Sequence, residues 1–399
     1  MTLLDVVKNA SVNRKPLDSP PDYPVVLNPD YVIANLKSEQ EEICPSSLVK
    51  PLTGWRISQT DAELIEFGKE FFANLKEKLK NTNRFEKNEF IGILNCYLEN
   101  IRDKVGVSLG IASPSSSSDY ARILIDRLGF LMDKNVSGLI LEGCVSLDLW
   151  ELVEALIVNG IVEHSCYSNL VSRLVEKKRS DLLILCIKHA LDLGSSEILC
   201  IWKYFLSPSK DAYDTMVTVR KEWESQALLA IEIAGDNNLK EKKLLVAKEA
   251  SILLMIAYDG FSAPELCLHY LIASSNTNEV MLSPSISKLN GKEMIKLIRY
   301  LAKWLKKYER FPQAGPCPNA STVLGLKACD WIPRLEDVVK CLGLVLDENF
   351  SSLVLHPEFH EELRSIAGVV SSLTAEAKLS CLMADAVDKL KVEVKGGMK

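Results

Sequence analysis

The sequence predicts an all-α protein, an irregular α-solenoid of stacked antiparallel helix pairs. Apolar residues recur at helical spacing, stripe after stripe, from about residue 60 to residue 391. Alternating strand patterns are nearly absent, "YPVVLN" being the best candidate. The turns between stripes are short, as in paired helices that lie side by side. No fixed period near about 34 or 40 residues emerges, so the stack is irregular.

Residues 1–55 stand apart. Pro16, Pro20, Pro21, Pro24, Pro29, Pro45 and Pro51 break any helix there, and an extended or disordered leader is predicted. A helical pair follows over 56–112. "TDAELIEFGKEFFANLKEKLK" sets Leu64, Ile65, Phe71, Phe72, Leu75 and Leu79 near one stripe, with Thr60 as N-cap. "EKNEFIGILNCYLENIRDKV" does the same with Phe90, Ile91, Leu94, Leu98 and Ile101.

The serine-rich loop 113–118 precedes Asp119, which is placed to cap the next helix. A central stack spans 119–273, with helices predicted at 119–133, 147–159, 166–177, 180–193, 195–206, 210–234, 240–257 and 263–273. The 180–193 helix is apolar on most sides and belongs inside. A polar linker covers 274–290, and a C-terminal helical region covers 291–392. After its first helix, that region contains helices at 333–347, 356–372 and 374–391, and a tail follows at 393–399.

Of the 399 residues, 47% are hydrophobic and 25% charged, as in an ordinary globular chain. The net charge of -6 gives no global attraction to nucleic acid or an anionic membrane, so such binding needs a local patch. Eleven dispersed cysteines without a C-x-x-C, with Cys186, Cys200, Cys267 and Cys341 among apolar neighbours, read as buried free thiols in a reducing compartment. No signal-peptide core is present, and no apolar run approaches the roughly 18 residues of a membrane span. A soluble intracellular protein without a membrane partner is expected.

Enzyme chemistry finds little support. His356 and His360 in "HPEFH" lie four apart, but Pro357 stands where a zinc peptidase helix needs its glutamate base. Cys317, Cys329 and Cys341 are too widely spaced for a zinc chelate. "NGKEM" lacks the glycine-rich loop that wraps phosphates, and neither G-x-S-x-G nor G-x-G-x-x-G occurs. No catalytic residue, metal, cofactor or small-molecule substrate is assigned. Lys177, Lys178 and Arg179 form a basic run, which reads as a helix end with cations near the C-terminal dipole.

One helix carries a divided surface. Met294, Leu297, Leu301, Trp304, Leu305 and Tyr308 fall within an arc of roughly 100°. Lys296, Arg299, Lys303, Lys306, Lys307 and Arg310 occupy an opposite arc of roughly 100° that holds no acidic residue. Three readings of this cationic face stand: a solvated surface, a track for RNA phosphates, or a dock for an acidic protein. Trp304 and Tyr308 belong to the core stripe, so they are not base-stacking platforms.

"LIRYLAKWLKKYE", followed by "CDWIPRLEDVVKCLGLVLDENFSSLVLHPEFHEELRSI", resembles the helical C-terminal region of the nucleolar protein 11 family. The family's "LLDANF"-like segment reads here as Leu346, Asp347, Glu348, Asn349 and Phe350. The resemblance is carried by residues 291–372, extends back to about 165 and leaves out 1–55. It implies a non-enzymatic scaffold of the small-subunit processome in the nucleolus, acting in pre-18S rRNA processing and ribosomal RNA transcription. WD-repeat proteins would be its partners, and pre-rRNA a further one. The long β-propeller that precedes the helical region in that family has no counterpart in this sequence. The alternative is a generic α-solenoid adaptor for complex assembly or trafficking, with no RNA link.

Overall fold

The computed structural model describes residues 59–80, 85–106, 118–236, 241–312 and 317–396. The predicted 1–55 leader and nearly all of the 113–118 loop lie outside these, as does "YPVVLN". Contacts divide the chain into two units, residues 1–67 and residues 68–399. The first unit adds only residues 59–67 to the described part, and the other described residues make up the second.

Among the described residues there are seventeen α-helices and no strand, so the all-α prediction holds. In order they are α1 (Gln59–Leu79), α2 (Lys87–Val105), α3 (Ser118–Leu128), α4 (Lys134–Ser146), α5 (Trp150–Val158), α6 (Tyr167–Glu176), α7 (Ser180–His189), α8 (Ser195–Leu206) and α9 (Lys210–Gly235). Then come α10 (Glu241–Tyr258), α11 (Ala263–Ala273), α12 (Glu279–Ile286), α13 (Gly291–Arg310), α14 (Pro318–Leu324), α15 (Leu335–Glu348), α16 (Phe350–Leu355) and α17 (His360–Gly396). Most helices pack on near neighbours in sequence: α2 on α3, α8 on α6, α9 on α10 and α11, α13 on α15 and α17.

The α2 stripe is buried where the spacing puts it. Phe90, Ile91, Leu94, Leu98 and Ile101 are all inside, and Phe71 stacks on Tyr97 with ring centres 4.1 Å apart. In α1 the predicted stripe is buried only at Phe71 and Leu75; Leu64, Phe72 and Leu79 are half-buried, and Ile65 is 49% exposed. In α7, Leu182, Leu183, Ile184, Cys186 and Ile187 are buried, as its apolar girth predicts.

Several boundaries differ. The α1 helix opens at Gln59, so Thr60 is inside it rather than capping it. The α3 helix starts at Ser118, which places Asp119 in its first turn. There Asp119 faces the positive end of the helix dipole. The predicted 119–133 helix ends at Leu128, and a separate helix, α4, follows a cap in which Asp133 Oδ2 accepts from Asn135 N–H at 3.1 Å. The 274–290 linker is not simply polar. It contains α12, capped by Asn278 and anchored through Leu282, Ser285 and Ile286.

The predicted helices 356–372 and 374–391 are one, α17. Nothing between Ser371 and Thr374 breaks a helix, and both hydroxyls fold back onto carbonyls four residues earlier. Residues 357–389 also include a stretch long and apolar enough to span a membrane by length and composition, which corrects the expectation of none. Its serines, threonine and alanines hide it from a search for unbroken apolar runs. The start of α17 is committed to the fold, since Phe359 just before it and Ile366 and Val369 within it are buried. Beyond them come Glu376, Lys378, Asp385, Asp388, Lys389 and Lys391, which are costly in a bilayer.

Candidate functional site

The α13 helix begins at a reciprocal cap: Glu293 N–H donates to Asn290 Oδ1 at 2.9 Å, and Asn290 N–H donates to Glu293 Oε2 at 3.0 Å. This is the physical role of "NGKEM". All six residues of the predicted core stripe are buried. At its centre, Trp304 Nε1–H donates to Tyr300 Oη at 3.1 Å. The Tyr300 hydroxyl reaches His269 Nδ1 at 2.9 Å, and His269 Nε2–H then donates to the Ala257 carbonyl at 3.0 Å. Burial pushes the His269 pKa down to about 3, so this ring is a neutral core group. The Phe261 ring meets it edge-on at 4.7 Å.

The six cations do not form one free face. Lys303 Nζ lies 2.8 and 2.9 Å from the two Glu265 oxygens and 3.1 Å from the Gly260 carbonyl. Arg299 Nε donates to Glu362 at 2.7 Å. Lys296 Nζ donates to the Leu206 carbonyl at 2.8 Å, capping the C-terminus of α8. Lys307 sits 5.2 Å from the centre of the Phe261 ring, and burial lowers its pKa. Lys306 and Arg310 are exposed and have no ion-pair partner among the described residues. The arc empty of acids within α13 is thus met by acids from α11 and α17.

Glu265 is held from both sides, because its Oε2 also accepts from Ser262 N–H at 2.7 Å and from the Ser262 hydroxyl at 2.9 Å. Lys296, Arg299 and Lys303 line a groove of about 290 Å³ between α8, α11 and α13. Its floor is apolar, made by Phe205, Leu206 and Leu268, and Tyr213 stands at one side. The sequence reading missed these partners. The "SAPE" cap before α11 is legible, but its contact with a lysine 38 positions later is not.

Other motifs are accounted for structurally. His356 and His360 do not share a helical face: His356 precedes the short 3₁₀ turn Pro357–Phe359, and His360 opens α17. Each ring nitrogen meets a backbone carbonyl, of Ser352 at 2.8 Å and Val354 at 2.9 Å respectively. Lys177, Lys178 and Arg179 close α6 and pair with Asp148, Asp211 and Asp181. Cys186, Cys267, Cys329 and Cys341 are buried as expected, but Cys200 and Cys317 are only half-buried, which corrects the expectation of burial for them. Among the described residues no group of three or more His, Cys, Asp or Glu side chains is placed to hold a metal ion.

Asn349, in the segment that resembles the nucleolar family, is buried at the junction of α15 and α16. Its backbone and side-chain N–H groups both donate to the Val345 carbonyl. Glu348 accepts from the Ser283 hydroxyl of α12. No protein-family model, curated protein or solved structure matches the chain.

Proposed function

We propose that the chain is a helical scaffold of ribosome biogenesis, an irregular solenoid of stacked helix pairs with no enzymatic role. It acts in the nucleolus with proteins of the small-subunit processome, WD-repeat proteins among them, during pre-18S rRNA processing and ribosomal RNA transcription. The observation that carries this reading is the resemblance over residues 291–372. Support comes from how those residues pack: α13 meets α15 and α17, and α15 meets α16. The quoted segments therefore belong to one packed cluster rather than to scattered helices.

The test is purification of a tagged full-length chain from nuclear extract at near-physiological salt. Small-subunit processome proteins and pre-18S RNA are expected to co-purify, and their absence would reject the reading. One observation favours the second reading, an adaptor with no RNA link. Glu265 and Glu362 take up Lys303 and Arg299, which leaves fewer cations for phosphates. Recovery of processome proteins that survives nuclease treatment fits the scaffold without direct RNA binding.

A further inference from the structure

We propose that the groove between α8, α11 and α13 receives an acidic segment of a protein partner, anchored by one apolar side chain. This deepens the scaffold reading and rests on it, because it gives the chemistry of one partner. The groove holds about 290 Å³, near the lower end for ligand pockets. That space suits one aromatic or aliphatic side chain over Phe205, Leu206 and Leu268. These three side chains are nearly fully buried, so the floor is firm. Tyr213, 42% exposed, offers a ring beside the anchor.

Charge decides what flanks the anchor. Lys296, Arg299 and Lys303 stand at i, i+3 and i+7 along one wall, a span of roughly 10 Å at helical rise. Among the described residues Glu265 is the single carboxylate lining the groove, and Lys303 with Ser262 already satisfies it. Lys296 uses one of three ammonium donors on Leu206. Arg299 is engaged through Nε, and its two Nη groups take no partner among the described residues. The wall therefore keeps spare donors for incoming carboxylates on Lys296 and Arg299, beside the apolar floor.

RNA fits this site less well. Single-stranded RNA is gripped by exposed aromatic faces with phosphates tracked by cations. Here Tyr213 is a lone exposed ring among the described groove residues, because Tyr300, Trp304, Tyr308 and Phe205 are buried, so successive bases find no run of stacking faces.

The experiment selects a random-peptide phage library on the purified full chain, then measures synthetic peptides by fluorescence anisotropy. Enriched peptides should combine Asp or Glu with a Phe, Leu or similar anchor, and added salt should weaken them. Arg299→Glu and Tyr213→Ala, both at exposed positions, should each weaken binding about tenfold or more. Lys306→Glu, outside the groove, should bind like the wild type. Circular dichroism confirms that each variant is folded. Enrichment without acidic bias, no enrichment, or unchanged binding by Arg299→Glu and Tyr213→Ala would overturn the proposal. So would poly(U) binding that Arg299→Glu abolishes while no peptide binds. Peptide binding is read on purified chain and processome recovery in nuclear extract, so failure of one is separable from failure of the other.

Discussion

Charge reversal at Lys303 distinguishes an interhelix clamp from a free cationic face. Its Nζ contacts both Glu265 oxygens, and the Glu265 side chain is only 17% exposed, against 42% for Lys303. Lys303→Met removes these bonds while Ser262 still holds the carboxylate, so a loss of about 1 kcal/mol is expected for a half-exposed pair. Lys303→Glu adds a like charge. At about 5 Å and an effective dielectric near 20, the repulsion is about 3 kcal/mol, of which roughly half remains once the new side chain swings outward. The summed cost is about 2.5 kcal/mol. In a chain of this size about 1 kcal/mol moves the melting point by roughly 2 °C, so Tm should fall by about 5 °C. Lys306→Glu should move it by less than about 1 °C. Thermal unfolding followed by far-UV circular dichroism measures both. If Lys303→Glu melts together with Lys306→Glu, the clamp is refuted and the free cationic face returns.

Leu301 is fully buried, so Leu301→Ala should cost about 2 to 5 kcal/mol in urea unfolding. His269 gives a pH dependence. Its folded pKa, about 3, lies below the ordinary 6.5, so the unfolded chain binds the proton more readily. Stability is full above about pH 6.5 and falls toward pH 3 by up to about 1.4 kcal/mol per unit; His189, also lowered, adds to the slope. Between about pH 6.5 and 5 the urea midpoint should drop, and His269→Gln should flatten that drop while lowering stability throughout. Burial raises the pKa of the Cys144, Cys267 and Cys341 thiols. Iodoacetamide mapping of the native chain should therefore label Cys96 and Cys381, both exposed, and spare those three until urea is added. Ending the chain after Leu373 should change Tm by less than about 1 °C, since residues 374–389 are all exposed.

Helices with a strong apolar stripe were legible. In α13 and α2 every residue of the predicted stripe is buried, because burial on one face is what that spacing reflects, although Ile298 and Tyr300 in α13 and Tyr97 in α2 are buried outside the stripe. Elements whose burial depends on small or polar groups were not. In α4 the buried face includes Ser137 and Gly143, and a Cβ on Gly143 would come 2.5 Å from the Phe90 ring. A tightly packed helix of this kind has no conspicuous stripe. In α12 Pro284 and two serines imitate a loop, yet Ser285 is fully buried and its hydroxyl donates to Leu282 O. Tertiary packing overrides the local signal there.

The cationic face fails as a sequence inference for a related reason. Within one helix, a lysine's visible partners lie three or four residues away, and α13 offers no acid in that arc. Helices packed side by side add a second set of partners at any separation: Glu265 is 38 residues before Lys303, and Glu362 is 63 after Arg299. Pairing does not make all six cations structural. Lys303 meets a carboxylate already tied to its own helix cap, so that contact joins α11 to α13 and has little freedom. Arg299, 57% exposed, lends one edge of its guanidinium to α17 and turns the other to solvent. The face thus divides by depth. Lys303 and Lys307, around Phe261, bind the stack together, while Lys296 and Arg299, at the groove, remain within reach of another chain's carboxylates. A partner that docked through the first pair would first have to break the fold's own contacts, whereas one that docked through the second would add to them.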